Sequence, residues 1–414
     1  MNTKTTMKSL LAATAFGALI PAAFAAPSIE ITEVRQRWPW NNKVDITYTV
    51  TEGQNVANGL YEKVVFTAMV GGQAIAIDGS SVGASAADGT HTVTWFPSAG
   101  LRAADATMTA ALVATNVPSG NDYMIIDLVN GGVWFEGLMG VGETGQTASN
   151  VRYNTDEYKD SKMVLRKIPK WADRASLPNA ASLPSGGYPT GNTGNSSNDN
   201  LTYRQSKRDY YIGVFMVTEK QYRRYASYSA NSTKPVGWVT WQALRGDTPP
   251  TNALAKVASD TGTFLQRLVY LAGNKYAFDL PTFLMSELAV RAGGMNAGKT
   301  NTLTYWYGDT ADAAYCNTTG SRQVVGNYPA NPWGLYDACG NGLEWVLDDA
   351  YDKMQQLDLF VPRCNGTTNR VKRNGAAASQ TSASNGMYKA TSYETNTTDE
   401  SHESCGFRVA VVVD

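Results

Sequence analysis

Asn331-Pro-Trp-Gly-Leu-Tyr-Asp-Ala-Cys-Gly-Asn-Gly-Leu-Glu-Trp345 decides how the larger part of this chain folds. Its apolar residues recur with neither the 3.6-residue period of a helix nor the alternation of a strand. Small turn residues stand between aromatics, and Asp337 and Glu344 lie seven apart. The run reads as an ordered loop whose backbone bends around something.

Outward from that loop, helices are few. One follows Thr218, where Thr218 and Gln221 form a capping-box pattern ahead of Tyr222 and Tyr225. A second covers about 261–272, with Phe264, Leu265, Leu268, Val269 and Leu271 on one face and Gly273 as its stop. A third follows Thr282 and carries Leu284, Leu288 and Arg291 before Gly293-Gly294. The stretch 183–200 is rich in Gly, Ser, Asn, Pro and Thr and reads as a disordered-looking surface loop.

The segment 27–118 reads differently. Val44, Ile46, Tyr48 and Val50 alternate with polar neighbours, and further strand candidates are 60–70, 73–77, 90–96 and 106–115. Turn signals at Asn41-Asn42, Gly71-Gly72 and Asp88-Gly89 separate several of them. Strands at this spacing predict a small β-sandwich of immunoglobulin-like type. Pro118-Ser119-Gly120-Asn121 reads as a linker, and a second domain follows over 123–414. The fold class is therefore α+β, an all-β sandwich followed by an irregular domain.

Bulk properties narrow the function. The 414 residues give room for two or three domains. With 35 basic and 36 acidic side chains and a net charge of −1, the chain has no basic field for nucleic acid or an anionic membrane. Residues 1–26 read as an export signal: Lys4 and Lys8, an apolar run from Leu10 to Ile20, and small residues ending at Ala25-Ala26. That apolar run is too short to span a bilayer, and no later segment is long enough either, so we expect an exported protein, periplasmic or extracellular, without a transmembrane segment. Cys316, Cys339, Cys364 and Cys405 suggest two disulfides with three connectivities open, of which we expect Cys316–Cys339 and Cys364–Cys405.

The opening run resembles the "N-x-x-G-L-x-D-x-x-G-N-x-x-E-W" signature of the formylglycine-generating enzyme (sulfatase-modifying factor) family, which oxidises a sulfatase cysteine on a C-type-lectin-like fold. Other segments are similar to the family and fall in its order: Tyr211–Tyr222, Pro235–Trp241, Leu280–Gly293, Tyr305–Gly308 and Gly406-Phe407-Arg408. The resemblance implies a copper ion held by two cysteines after an "R-V-x-x-G-G-S" segment. Here Arg370–Ala376 is that segment, and an ungapped count puts Ser379 and Ser384 at the cysteine positions. A serine hydroxyl is a poor ligand for Cu(I), so no copper is expected.

Relatives with a non-haem iron centre imply two histidines and a carboxylate. His91 and His402 are the two histidines present, and they fall in different predicted regions. A calcium site is the implied feature that the residues keep. The matching positions are Asp337, Gly340, Gly342 and Glu344, carboxylates plus glycines that let carbonyls turn inward. The alternative is a tight turn with Asp337 capping backbone N–H groups. A second family site near Asn317 is not expected, because 317–326 reads as shortened.

Trp38, Trp40, Trp238, Trp241, Trp306, Trp333 and Trp345 are candidates to stack on sugar rings, with core filling the favoured alternative. The polar segment Gly375–Ser404 resembles a binding surface of small residues and tyrosine, against the favoured alternative of an unconstrained loop. Together these features predict a non-catalytic member of the family with a protein or glycan ligand. A divergent cysteine oxidase and a structural envelope module are the rivals.

Overall fold

Alternation of apolar and polar side chains builds the first part of the molecule, and charged side chains inside a loop framework build the rest. The structure, a computed structural model, describes residues 28–37, 43–51, 61–70, 72–86, 88–96, 106–115, 120–129, 131–138, 152–177, 180–183, 185–190, 202–245, 258–292, 306–308, 312–317, 321–349, 359–362, 369–373, 393–397, 401 and 405–413. It divides into two units. The first holds the described residues up to Gly120 with Val129–Gly137, and the second holds Asn121–Leu128 and the residues from Leu138 onward.

In the first unit, β1 (Ser28–Gln36), β2 (Val44–Thr51) and β5 (Gly89–Trp95) form one antiparallel sheet in the order β1-β2-β5. A second antiparallel sheet, β4-β3-β6, comprises β3 (Tyr61–Val70), β4 (Gln73–Asp78) and β6 (Ala106–Thr115). Val44, Ile46, Tyr48 and Val50 from one sheet and Val64, Phe66, Ala68, Ile77 and Met108 from the other share one core. The Tyr48 and Phe66 rings meet edge to face at 5.3 Å, which makes the pair of sheets a sandwich. The four later strand candidates match β3 to β6 within one or two residues. β1 has a bulge between Ile31 and Glu33, so its core-facing residues run Ile29 and Ile31, both buried, then the half-buried Val34, and strict alternation fails there.

The second unit contains the antiparallel run β17-β12-β9-β7, made of β7 (Tyr123–Asp127), β9 (Lys162–Ile168), β12 (Asp209–Gly213) and β17 (Ala410–Val413). A short strand, β8 (Val133–Glu136), groups with the first unit. Within the stretch read as a disordered-looking loop, β10 (Tyr188–Thr190) pairs with β11 (Thr202–Arg204). Tyr188 is fully buried there and donates to the Pro169 carbonyl at 2.8 Å. That part of the expectation is corrected: one aromatic anchors an otherwise Gly/Ser-rich run, and residues 191–200 lie outside the described residues.

The other sheet, β15-β14-β13-β16, combines β13 (Leu343–Asp349), β14 (Asn369–Arg373), β15 (Tyr393–Thr397) and β16 (Cys405–Phe407), with β13 and β16 parallel. Between the two sheets lies α4 (Phe283–Arg291), buried along its whole length. Its Phe283, Leu284 and Leu288 share a core with Ile168, Tyr210 and Ile212 of one sheet and Val346 and Val371 of the other.

The other helices are short: α1 (Glu219–Arg223), α2 (Trp241–Arg245) and α3 (Phe264–Leu271). The capping box at Thr218 and Gln221 forms as read, and Thr263 with Gln266 makes a second one, so α3 starts three residues later than its pattern suggested. Thr282 caps α4 by accepting from the Met285 N–H. The turn that ends α4 falls on Ala292 in the left-handed region (φ 48°), one residue before the glycines. No helix among the described residues is long and apolar enough to cross a membrane.

Candidate functional site

The loop 331–345 bends around the protein's own polar groups. Asn331 donates to the carbonyls of Ala289 and Val290 at 2.8 and 3.1 Å, tying the loop to the end of α4. Its Oδ1 accepts from the Trp333 and Leu335 N–H groups, which closes the first turn over Gly334 at φ 85°. Tyr336 then donates its N–H to Val214 and stacks on Phe215 at 5.0 Å.

Asp337 and Asn341, both non-glycine residues at positive φ (49° and 64°), turn the chain twice more. The Asp337 Oδ2 accepts from the Gly326 N–H at 2.8 Å. The Asn341 Oδ1 accepts from Asn317 Nδ2 and the Gln323 N–H at 3.0 and 2.7 Å. Cys339 is joined to Cys316, as expected from the sequence. Cys405 is buried in β16, and Cys364 lies outside the described residues.

Arg408 is the centre of this arrangement. Its Nε pairs with Glu344 Oε1 at 2.9 Å. The other guanidinium nitrogens donate to four carbonyls: Gly213 and Val214 at 3.1 and 2.9 Å, Tyr336, and Asp337 at 3.1 Å. One planar cation thereby joins two loops and a buried carboxylate. Sequence reasoning met Arg408 as the end of a Gly-Phe-Arg match and assigned it no role. The Gly406-Phe407-Arg408 match itself was the available signal.

Of the four proposed calcium positions, Asp337 and Glu344 are brought to this common neighbour, and all four are buried. Asp337 Oδ1 and Glu344 Oε2 are buried without a hydrogen-bond partner among the described residues. Among those residues no three His, Cys, Asp or Glu side chains converge as a metal-binding group.

Burial raises the Asp337 carboxyl to about 6, opposed by the Gly326 N–H and by Arg408 and reinforced by Glu344. Lys159, which sequence reasoning missed, is buried over the Phe215 ring at 5.6 Å. Its ammonium is pushed down by desolvation despite the attraction of Asp156 and Asp337.

Other candidates separate. His91 lies in β5 with its ring 5.4 Å from Tyr48, and His402 is outside the described residues. Ser379 and Ser384 are outside them too, in the connection between β14 and β15. Trp241, Trp306, Trp333 and Trp345 are core residues, whereas Trp238 is 58% exposed.

A family model described as "Sulfatase-modifying factor enzyme 1-like domain" matches residues 166–413. Among solved structures, Treponema denticola variable protein 1 is 17% identical, with 60% of this chain and 95% of that one covered and a TM-score of 0.42. PvdO from Pseudomonas aeruginosa is 14% identical over 60% of this chain and 94% of its own, with a TM-score of 0.43. CarF is 18% identical over 56% and 97%, with a TM-score of 0.36. No curated protein matches the chain.

Proposed function

This chain belongs to the sulfatase-modifying factor enzyme 1-like domain family, and from that premise we propose that it is an exported binding protein rather than a cysteine oxidase. The disposition of sulfur supports this. Cys316 and Cys339 are tied to each other and Cys405 is buried in a strand. The connection from Arg373 to Tyr393, where the family's copper ligands match Ser379 and Ser384, contains no cysteine. Cu(I) thiolate chemistry then has no soft ligand pair in that connection.

The test is mass spectrometry of a Cys-x-Pro-x-Arg peptide after incubation with the mature protein, copper, oxygen and thiol. We expect an unmodified peptide beside a working control. Conversion of its cysteine to an aldehyde would establish the rival, a divergent oxidase.

On the binding reading, Gly375–Ser404 is the contact face. It is almost wholly small, polar and tyrosine-bearing, a composition that gives adaptable hydrogen bonds with rigid aromatic contacts. The ligand is a protein or glycan, and nucleic acid is disfavoured by the net charge of −1.

Calcium is the proposed cofactor, supported by the two buried carboxylate oxygens at Asp337 and Glu344 that lack a partner among the described residues. Its check is the melting temperature in CaCl₂ against chelator. A rise that Asp337→Asn abolishes supports the ion, and no rise removes it.

A further inference from the structure

Glu344 and Arg373 stand directly opposite each other where β13 pairs with β14. Side chains of such a pair leave the sheet on the same face, with their Cβ atoms roughly 5 Å apart. Opposite charges so placed ordinarily bond to each other. Here each turns elsewhere: Glu344 gives its Oε1 to Arg408 at 2.9 Å, and Arg373 pairs with Glu287 at 3.9 Å.

Both side chains then keep polar atoms that no described residue meets. Glu344 Oε2 is buried without a hydrogen-bond partner, and so are Arg373 Nε and Nη2. The Arg373 Nη1 is used, donating to the Phe283 carbonyl at 3.2 Å. The Phe283 ring, 4.1 Å from the guanidinium carbon, offers no lone pair to the rest. Neither residue is exposed at all, so bulk solvent does not serve these atoms. Buried charged groups without partners are costly, and such atoms mark the places where a fold holds a guest.

Charge and donor chemistry choose the guest. An anion beside Arg373 would face Glu287, Glu344 and Asp348, the carboxylates whose field already acts on the guanidinium. A cation on Glu344 Oε2 cannot accept from Arg373, and would leave two donors unanswered. A neutral molecule that donates on one side and accepts on the other answers both. Water does this with an O–H toward the carboxylate and a lone pair toward the guanidinium.

We propose that a buried water molecule is held between Glu344 Oε2 and the Nε and Nη2 of Arg373. It joins two sets of contacts that the protein's own bonds leave separate. Arg373 is tied through the Phe283 carbonyl to the start of α4, and Glu344 is tied through Arg408 to the carbonyls of Tyr336 and Asp337 in the loop 331–345. The inference does not rest on the binding reading or on calcium.

The test is a crystal structure of the mature protein grown in chelator, at a resolution that shows ordered water, with Arg373→Met beside it. We expect a solvent peak about 2.7–3.2 Å from Glu344 Oε2 and from Arg373 Nε or Nη2. In the variant that peak should be lost while the Glu344–Arg408 bond remains. No peak in wild type overturns the proposal, as does a direct Glu344–Arg373 bond. A peak that persists unchanged in the variant overturns it too, and if the variant fails to fold the wild-type map decides alone. Oxygen distances of about 2.3–2.6 Å in chelator would mean a tightly held cation instead of water. A second crystal in CaCl₂ tests calcium separately, since an ion that displaces the water there leaves the chelator result standing.

Discussion

The β-sandwich and the loop-built domain differ in what they bury. Within β1 to β6 the interior is apolar, and Asp45 is the buried charged residue among those described, paired at the sheet margin with Arg37 and Arg35. The second unit buries Asp279, Glu287, Arg291, Asp337, Glu344, Asp348, Asp349, Arg370, Lys372, Arg373 and Arg408, each with no more than 2% of its surface exposed. The reason lies in the backbone. In β1 to β6 each strand finds its hydrogen-bond partners in the next strand, so the inward side chains are free to be oil. In the second unit most of the buried charges sit on β13, β14 and α4 and reach backbone outside the ladders, as Asp348 accepts from the Phe283 N–H and Arg373 donates to the Phe283 carbonyl. An irregular loop inside a protein has carbonyls and N–H groups that no ladder satisfies, and side chains must reach them. Charged groups do this most strongly, at the risk of a large loss if one is removed.

The sharpest test of that contrast is Arg408→Met. It withdraws donors from four carbonyls and leaves Glu344 buried without its partner. We expect a loss of about 5 kcal/mol or more in the second unit. Hydrogen exchange should show lost protection in 331–345 and unchanged protection in β1 to β6. A loss below about 1 kcal/mol would mean that buried charge is not what holds the loops.

Phe66→Ala is the matching change in the sandwich. Phe66 is fully buried against Tyr48, and its truncation should cost about 3–4 kcal/mol through transfer and cavity terms. Exchange should rise in β2 and β3 with the loop 331–345 unaffected. The effect should be independent of salt and pH, because no charge is involved.

The third prediction concerns pH. In the metal-free protein the Asp337 carboxyl is raised to about 6, against an unfolded value of about 3.9. The folded state therefore binds the proton more tightly. Its contribution to stability is fully present below about pH 4 and is lost as pH rises through about 6. In chelator, Asp337→Asn should be more stable than wild type at pH 7, by on the order of 2 kcal/mol, and the gap should close toward pH 4. Asparagine suits the position, since it tolerates φ 49° and can still accept from Gly326. Denaturant titrations at a series of pH values measure the gap, and a constant gap would show that Asp337 does not titrate differently on folding.

The same contrast explains what could be read in advance. Strands β3 to β6 were legible because one face is apolar and the period is two. β1 was not, because its bulge shifts the register after Ile31. In the second unit the local signals that held were caps, at Thr218 and Thr282, which depend on neighbours in sequence. β13 escaped notice: it carries Glu344, Asp348 and Asp349, yet all seven of its residues are buried. Hydrophobic patterning cannot find a core that contains charges. α2, with five residues, is too short to show a period. At the candidate site, the run 331–345 disclosed Asp337 and Glu344 but not their shared partner, because Arg408 lies 64 residues from Glu344 and only the fold unites them.

The smallest effect is the most direct comparison, because it uses one substitution in two surroundings. On the sandwich surface, Thr49 and Thr90 face each other across β2 and β5 with their hydroxyls 3.0 Å apart. Thr49→Val keeps the β-branched shape and removes the hydroxyl, and water replaces the lost bond to Thr90. The change should lie within about 0.5 kcal/mol, and the coupling to Thr90→Val in a double-mutant cycle should be of the same order. Thr218 is fully buried, donates its hydroxyl to the Lys159 carbonyl at 2.6 Å and accepts from the Gln221 N–H at 3.1 Å. Thr218→Val has the same chemistry but strands a buried carbonyl and a helix N–H, so it should cost about 2 kcal/mol. Equal costs at the two sites would mean that burial does not set the worth of a hydroxyl here, and the division between an oily sandwich and a polar-stitched loop domain would lose its physical basis.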